Sequence, residues 1–145
     1  MGLFSFMRNV GKSVFKQGED EAKAIETLIK MDLGDKINDF KAEFGDGLAT
    51  LLGKCDSKAT KEKAVLLVGN LNGVERVNDE KLECPASDEV TEFYTVKSGD
   101  SLWKIAQQFY GDGNKYNDIF AANKEVIKNP DLIYPGQTLR IPKKG

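Results

Sequence analysis

The stretch Tyr94-Thr95-Val96-Lys97-Ser98-Gly99-Asp100-Ser101-Leu102-Trp103-Lys104-Ile105-Ala106 changes its hydrophobic period midway, and that change decides the fold. Tyr94 and Val96 alternate with Thr95 and Lys97, as on a half-buried strand. Gly99 breaks the strand, and Asp100 is a good helix N-cap. From Leu102 the period is helical, with Leu102, Ile105, Ala106, Phe109 and Tyr110 on one face. Gly111 ends this helix, and Tyr116, Ile119, Phe120 and Asn123 repeat the spacing in a second one. Tyr134-Pro135-Gly136-Gln137 asks for a type II turn, with proline at its second position and glycine at its third. Leu139 and Ile141 then alternate in a last short strand with Pro142 at its edge. Residues 92–145 therefore read as strand, helix, helix, strand. Trp103 falls off the main apolar stripe and is expected at the edge of this domain, against the preceding domain or near a ligand.

Upstream, residues 85–91 carry Pro85, Ala86 and Ser87 followed by acids, without periodicity, and read as a short linker. Residues 19–84 read as helix, strand, strand, helix, strand. Ala22, Ile25, Leu28 and Ile29 make one helical face. Phe40, Ala42 and Phe44 alternate with Asp39, Lys41 and Glu43, Gly45-Asp46-Gly47 is a hairpin signal, and Leu48 to Gly53 is the return strand. Asp56 or Ser57 caps a second helix over Lys58 to Val68, with Ala64, Leu67 and Val68 inward, and Gly69 and Asn70 stop it. A third strand is expected near Val74 to Leu82. Residues 1–18 hold Leu3, Phe6, Met7, Val10 and Val14 at helical spacing over residues 2–16. This amphipathic helix is expected to pack on the next domain, since Arg8, Lys12 and Lys16 alone give weak attraction to a membrane surface.

Composition narrows the function. The chain has 145 residues with 40% hydrophobic and 30% charged, which is globular rather than disordered, and its net charge of −2 gives no reason to expect a nucleic-acid partner. Histidine is absent, which removes the commonest general acid/base and the commonest transition-metal ligand. Cys55 and Cys84 form no Cys-x-x-Cys pattern, so they read as two reduced thiols and not as a zinc site. No stretch reaches the roughly 18–20 apolar residues of a membrane span. The Met1-Gly2-Leu3-Phe4-Ser5-Phe6 start is neither a secretory signal nor a myristoylation pattern, so the expected address is cytoplasmic. The carboxylates lie mostly on solvated faces, and nothing places a pair of them across one bond, so no enzyme is expected.

The quoted stretch, with Phe109-Tyr110-Gly111, Asn123 and Ile133-Tyr134-Pro135-Gly136-Gln137-Thr138-Leu139-Arg140-Ile141-Pro142, resembles the LysM family over the whole domain. That resemblance implies a βααβ fold and binding of N-acetylglucosamine glycans such as peptidoglycan or chitooligosaccharide. It puts the sugar groove between two loops, on Ser98, Gly99, Asp100, Ser101 and Leu102 and on Asn129, Pro130, Asp131, Leu132 and Ile133. Residues 19–84, by the order of their elements and by Gly69-Asn70-x-x-Gly73-Val74, resemble a BON domain. The expected class is α+β: an αββαβ BON domain, then a βααβ LysM domain, with the N-terminal helix in front.

The whole arrangement resembles the small BON–LysM potassium-binding proteins of bacteria. It implies a monomeric, cytoplasmic K⁺ binder or sensor linked to potassium or osmotic stress. Such an ion site leaves little side-chain signature, because neutral backbone carbonyls replace the hydration shell. A helix C-terminus offers about four unpaired carbonyls at the negative end of its dipole. By resemblance the ligands are the carbonyls of Met7, Val10 and Lys12 and of Gly69, Leu71 and Val74. No organic cofactor is implied. The alternative is a peptidoglycan-binding protein acting through its LysM groove.

Overall fold

The computed structural model describes residues 3–6 and 20–143, with the side chains of residues 3–5 excepted. It divides into two compact units, 1–87 and 88–145. The fold class is α+β, as expected.

In the first unit, Asp20 caps α1 (Glu21–Leu33) by accepting the Lys23 N–H at 3.3 Å, and the buried face is Ile25, Leu28, Ile29 and Leu33. A 3-10 turn (Gly34–Lys36) leads into β2 (Ile37–Gly45), which pairs antiparallel with β3 (Leu48–Cys55). Ser57, rather than Asp56, caps α2 (Lys58–Gly69) by accepting the Thr60 N–H. Asp56 instead accepts the Thr60 hydroxyl at 2.5 Å. Through α2 the chain crosses over to β4 (Arg76–Glu83), which lies parallel to β3. The third strand thus starts two residues later than the sequence suggests, and Val74 is fully buried in the loop before it. The expected inward set of α2 was too small. Ala64, Val65, Leu66, Leu67 and Val68 are all buried, because α1, β3, β4 and the N-terminal strand β1 (Leu3–Ser5) all touch the helix.

One expectation fails at the N-terminus. Leu3–Ser5 is not helical but forms a strand, β1, antiparallel to β4, with Phe4 opposite Val77. The sheet order is β1-β4-β3-β2, so without β1 the strand β4 would present an open edge of N–H and C=O groups. Satisfying that edge outweighs a helical preference in three residues. The remainder of the expected helix, 7–16, lies outside the described residues.

The second unit has β5 (Thr91–Thr95) antiparallel to β6 (Thr138–Pro142), with α3 (Leu102–Tyr110), a 3-10 turn (Gly113–Lys115) and α4 (Tyr116–Ala122) between them. Its core is Val96, Leu102, Ile105, Ala106, Ile119, Ile127, Leu139 and Ile141. The Tyr134–Gln137 turn forms as expected: Gln137 N–H donates to the Tyr134 carbonyl at 3.1 Å, and Gly136 supplies φ +93°. Asn123, fully buried, locks β6 to α4. Its amide donates to the Ile119 and Arg140 carbonyls and accepts the Arg140 N–H, each at 2.8 Å. Among the described residues no helix is long and apolar enough to cross a membrane.

Candidate functional sites

The first candidate site lies at the C-terminal end of α2. Gly69 is the last helical residue, and the Asn70 N–H closes the helix onto the Leu66 carbonyl at 2.9 Å. The Leu71 N–H returns to the Val68 carbonyl at 3.1 Å, and the Val74 N–H to the Leu71 carbonyl at 3.2 Å. Leu71 and Val74 bury their side chains, so this tight loop is fixed by its apolar anchors. Its residues, Gly69 to Val74, include no charged side chain. The oxygens this loop can offer a cation are therefore uncharged ones, main-chain carbonyls and the amides of Asn70 and Asn72.

The end of β1 comes to this loop. The Phe6 N–H donates to the Glu75 carbonyl at 2.7 Å, and the Phe6 ring lies on Gly69 so closely that a Cβ there would collide with it. Gly69, Leu71 and Val74 are therefore brought together beside Phe6. Met7, Val10 and Lys12 lie outside the described residues. No group of three or more His, Cys, Asp or Glu able to hold a metal occurs among the described residues.

The second candidate site is a cleft of about 440 Å³ in the second unit. Asp100, Ser101 and Leu102 form one wall, and Pro130, Asp131 and Ile133 the other. Of the expected groove, these six line the cleft. Ser98, Gly99, Asn129 and Leu132 do not, and Leu132 points largely to solvent. Asn129 shapes its loop instead, accepting the Asp131 N–H on its side chain and the Leu132 N–H on its carbonyl. Trp103 and Tyr116 complete the lining. The indole lies against Gly113, where a Cβ would strike it, and half of Trp103 stays exposed. Its position beside Leu102 but off the core stripe was the sequence signal. Tyr116 gave none, because its spacing fitted the core of the second helix. An aromatic face beside short polar groups can hold a pyranose ring.

Asp100 is not the helix cap. Ser101 takes that role, accepting the Lys104 N–H at 3.2 Å. The Asp100 carboxylate instead accepts the Tyr94 hydroxyl at 2.5 Å and the Lys97 N–H at 2.8 Å, tying the loop back onto β5. Lys104 donates to the Gly99 carbonyl at 3.1 Å from the other side. The Tyr94 hydroxyl, followed by the Lys97 N–H, holds the Asp100 carboxyl below the usual aspartate value. The same bond pushes the Tyr94 phenol up to about 12. Because the folded-state value of Asp100 is depressed, its stabilisation is complete above the unfolded value of about 4 and is lost as pH falls through the lower folded value. Tyr94→Phe removes the first cause. In a carboxyl NMR titration the Asp100 midpoint then moves up toward the ordinary value, and an unmoved midpoint would contradict this assignment.

Comparison with known proteins agrees with this division. The LysM domain family matches residues 94–142, and the BON domain family matches residues 19–83. Over 52 residues the chain is 38% identical to the resuscitation-promoting factor Rpf of Micrococcus luteus, covering 36% of this chain and 23% of that protein. Over 79 residues it is 38% identical to the secreted LysM effector Mgx1LysM of Zymoseptoria tritici, covering 54% of this chain and 80% of that protein. It is 43% identical to the potassium binding protein Kbp of Escherichia coli over 99% of this chain and 100% of that protein. A BON domain followed by a LysM domain, matched along nearly its whole length, places this chain in the same family as Kbp.

Proposed function

We propose that this chain is a potassium-ion binding or sensing protein of the bacterial cytoplasm, tied to potassium or osmotic stress. In this reading it is a monomer and not an enzyme. The ion is held by the carbonyls of Gly69, Leu71 and Val74 from one side and of Met7, Val10 and Lys12 from the other. The observation that carries the reading is the seat of Phe6, the residue before Met7 in the sequence, on Gly69 at the C-terminal turn of α2. The loop there is uncharged in its side chains and rich in carbonyls, which suits a large, weakly polarising ion. The 43% identity to a protein named for potassium binding supports the same ion.

Titration with KCl, RbCl and NaCl at constant ionic strength tests it, read by amide NMR and thermal unfolding. K⁺ and Rb⁺ give saturable shifts at residues 69–76, and at a hundredfold excess over Kd the ion stabilises the first unit by about 2.7 kcal/mol. Na⁺ gives less. Equal effects from all three salts would reduce the result to charge screening and overturn the site.

A second reading rests on the cleft between residues 100–103 and 130–133, with its Trp103 face. It makes the LysM unit a binder of peptidoglycan or chitooligosaccharide. Added to the same protein, chitooligosaccharide quenches Trp103 fluorescence and shifts those residues only weakly if potassium is the main ligand. Tight glycan binding without a potassium response would put this reading first.

A further inference from the structure

Cys55 is the last residue of β3, and Cys84 follows the last residue of β4. The two strands are parallel, and their final paired rungs are Gly53 with Leu82 and Lys54 with Glu83. The next rung places Cys55 beside Cys84. Pro85 favours that continuation, because a residue before proline is driven to extended backbone. Side chains alternate along both strands, so Cys55 shares a face with Leu51 and Gly53, and Cys84 shares the same face with Leu82. Leu51 and Leu82 are fully buried, which identifies this as the core face. Neighbouring strands lie about 4.8 Å apart. That falls inside the span of about 4.4–6.8 Å between Cα atoms of a disulfide.

We infer that Cys55 and Cys84 are a redox-sensitive dithiol that closes into an intramolecular disulfide when a low-molecular-weight disulfide is the oxidant. Both thiols are free in this structure. Cys84 is partly exposed and Cys55 is buried, which sets the order of events. The Cys84 thiolate attacks one sulfur of the oxidant and expels the first small thiolate. Cys55 then loses its proton, its Sγ attacks the Sγ of Cys84, and the second small thiolate leaves. Two protein thiols and one small disulfide thus become one protein disulfide and two small thiols. The second step is the slow one, because the thiolate, not the thiol, is the nucleophile. Burial, and next the neighbouring Cys84, push the Cys55 thiol up to about 12. The closed bond would bracket α2 and the loop from Gly69 to Val74, tying the two ends of that crossover together.

The test is exposure of the folded full-length protein to oxidised glutathione at graded pH, followed by intact mass and thermal unfolding. The expected product is a monomer lighter by two hydrogens. Its first-unit midpoint rises by on the order of 10 °C, and dithiothreitol reverses both changes. The closure rate rises with pH throughout the neutral and mildly alkaline range. Cys84→Ser removes closure, and Cys55→Ala stops at the glutathione adduct on Cys84. The wild-type mass needs no variant to fold, so it decides the matter alone. A wild-type protein that keeps both thiols, halts at the adduct, or only cross-links between chains would overturn the inference.

Discussion

Gly69→Ala destabilises the first unit, although a helix-propensity argument gives the opposite sign. Replacing a helical glycine by alanine ordinarily gains up to about 1 kcal/mol. Here the new methyl runs into the Phe6 ring, so the ring must leave its seat on the helix end. The Phe6 backbone is held by its N–H bond to Glu75, and β1 is paired with β4 just before it. Forcing a methyl into such a contact costs about 1–3 kcal/mol, so the collision wins. On the proposed site, displacing Phe6 also separates the two sets of carbonyls, and K⁺ affinity falls at least tenfold, about 1.4 kcal/mol. Thermal unfolding and K⁺ titration of Gly69→Ala, Phe6→Ala and the double variant read both effects. The double variant recovers the helix gain, because the methyl then has room. A single Gly69→Ala variant that is more stable than the parent would remove Phe6 from this position.

The largest loss of stability is expected from Asn123→Ala. The substitution leaves the Arg140 N–H without its acceptor in a fully buried place and strips a donor from two carbonyls. An orphaned buried group costs about 1–3 kcal/mol, and the three bonds together bring the loss to roughly 3 kcal/mol or more. A unit this small has only a few kcal/mol in hand, on the order of 3–9 by the usual per-residue figures. Hydrogen exchange on the full chain then shows amides of β5, α3, α4 and β6 opening together, while those of β2, β3 and β4 keep their protection. Protection unchanged in the second unit would mean that the Asn123 amide is not what fastens β6.

The same residues show why some of the fold could be read from the sequence and some could not. The run from Leu102 to Tyr110 carries its period on five apolar side chains, and the helix follows. The Pro135-Gly136 pair specifies its turn through local backbone preference alone. Asp100 and Ser101 are adjacent and both are good caps. Only the Tyr94 hydroxyl and the Lys97 N–H, which claim the Asp100 carboxylate, decide between them. Leu3–Ser5 is too short to show a period, and its partner lies at the far end of the unit. The buried ring around α2 depends on four neighbours that no single helix pattern reveals. In the LysM cleft, resemblance supplied the two loops and its place off the apolar stripe marked Trp103, while the share of Tyr116 came only with the packing. A carbonyl site is hardest of all, since every residue contributes the same atoms to it.

The order of the strands has a consequence during synthesis. β1 leaves the ribosome before the other strands of its unit, yet its partner among the described residues is β4, the last strand of that unit to be made. Its docking closes the longest loop in the unit, which costs the most chain entropy and comes late in folding. Until then β1 waits for its partner while the hairpin and the crossover assemble. If the proposed cage is the ion site, it is complete only in a finished unit, after β1 has docked.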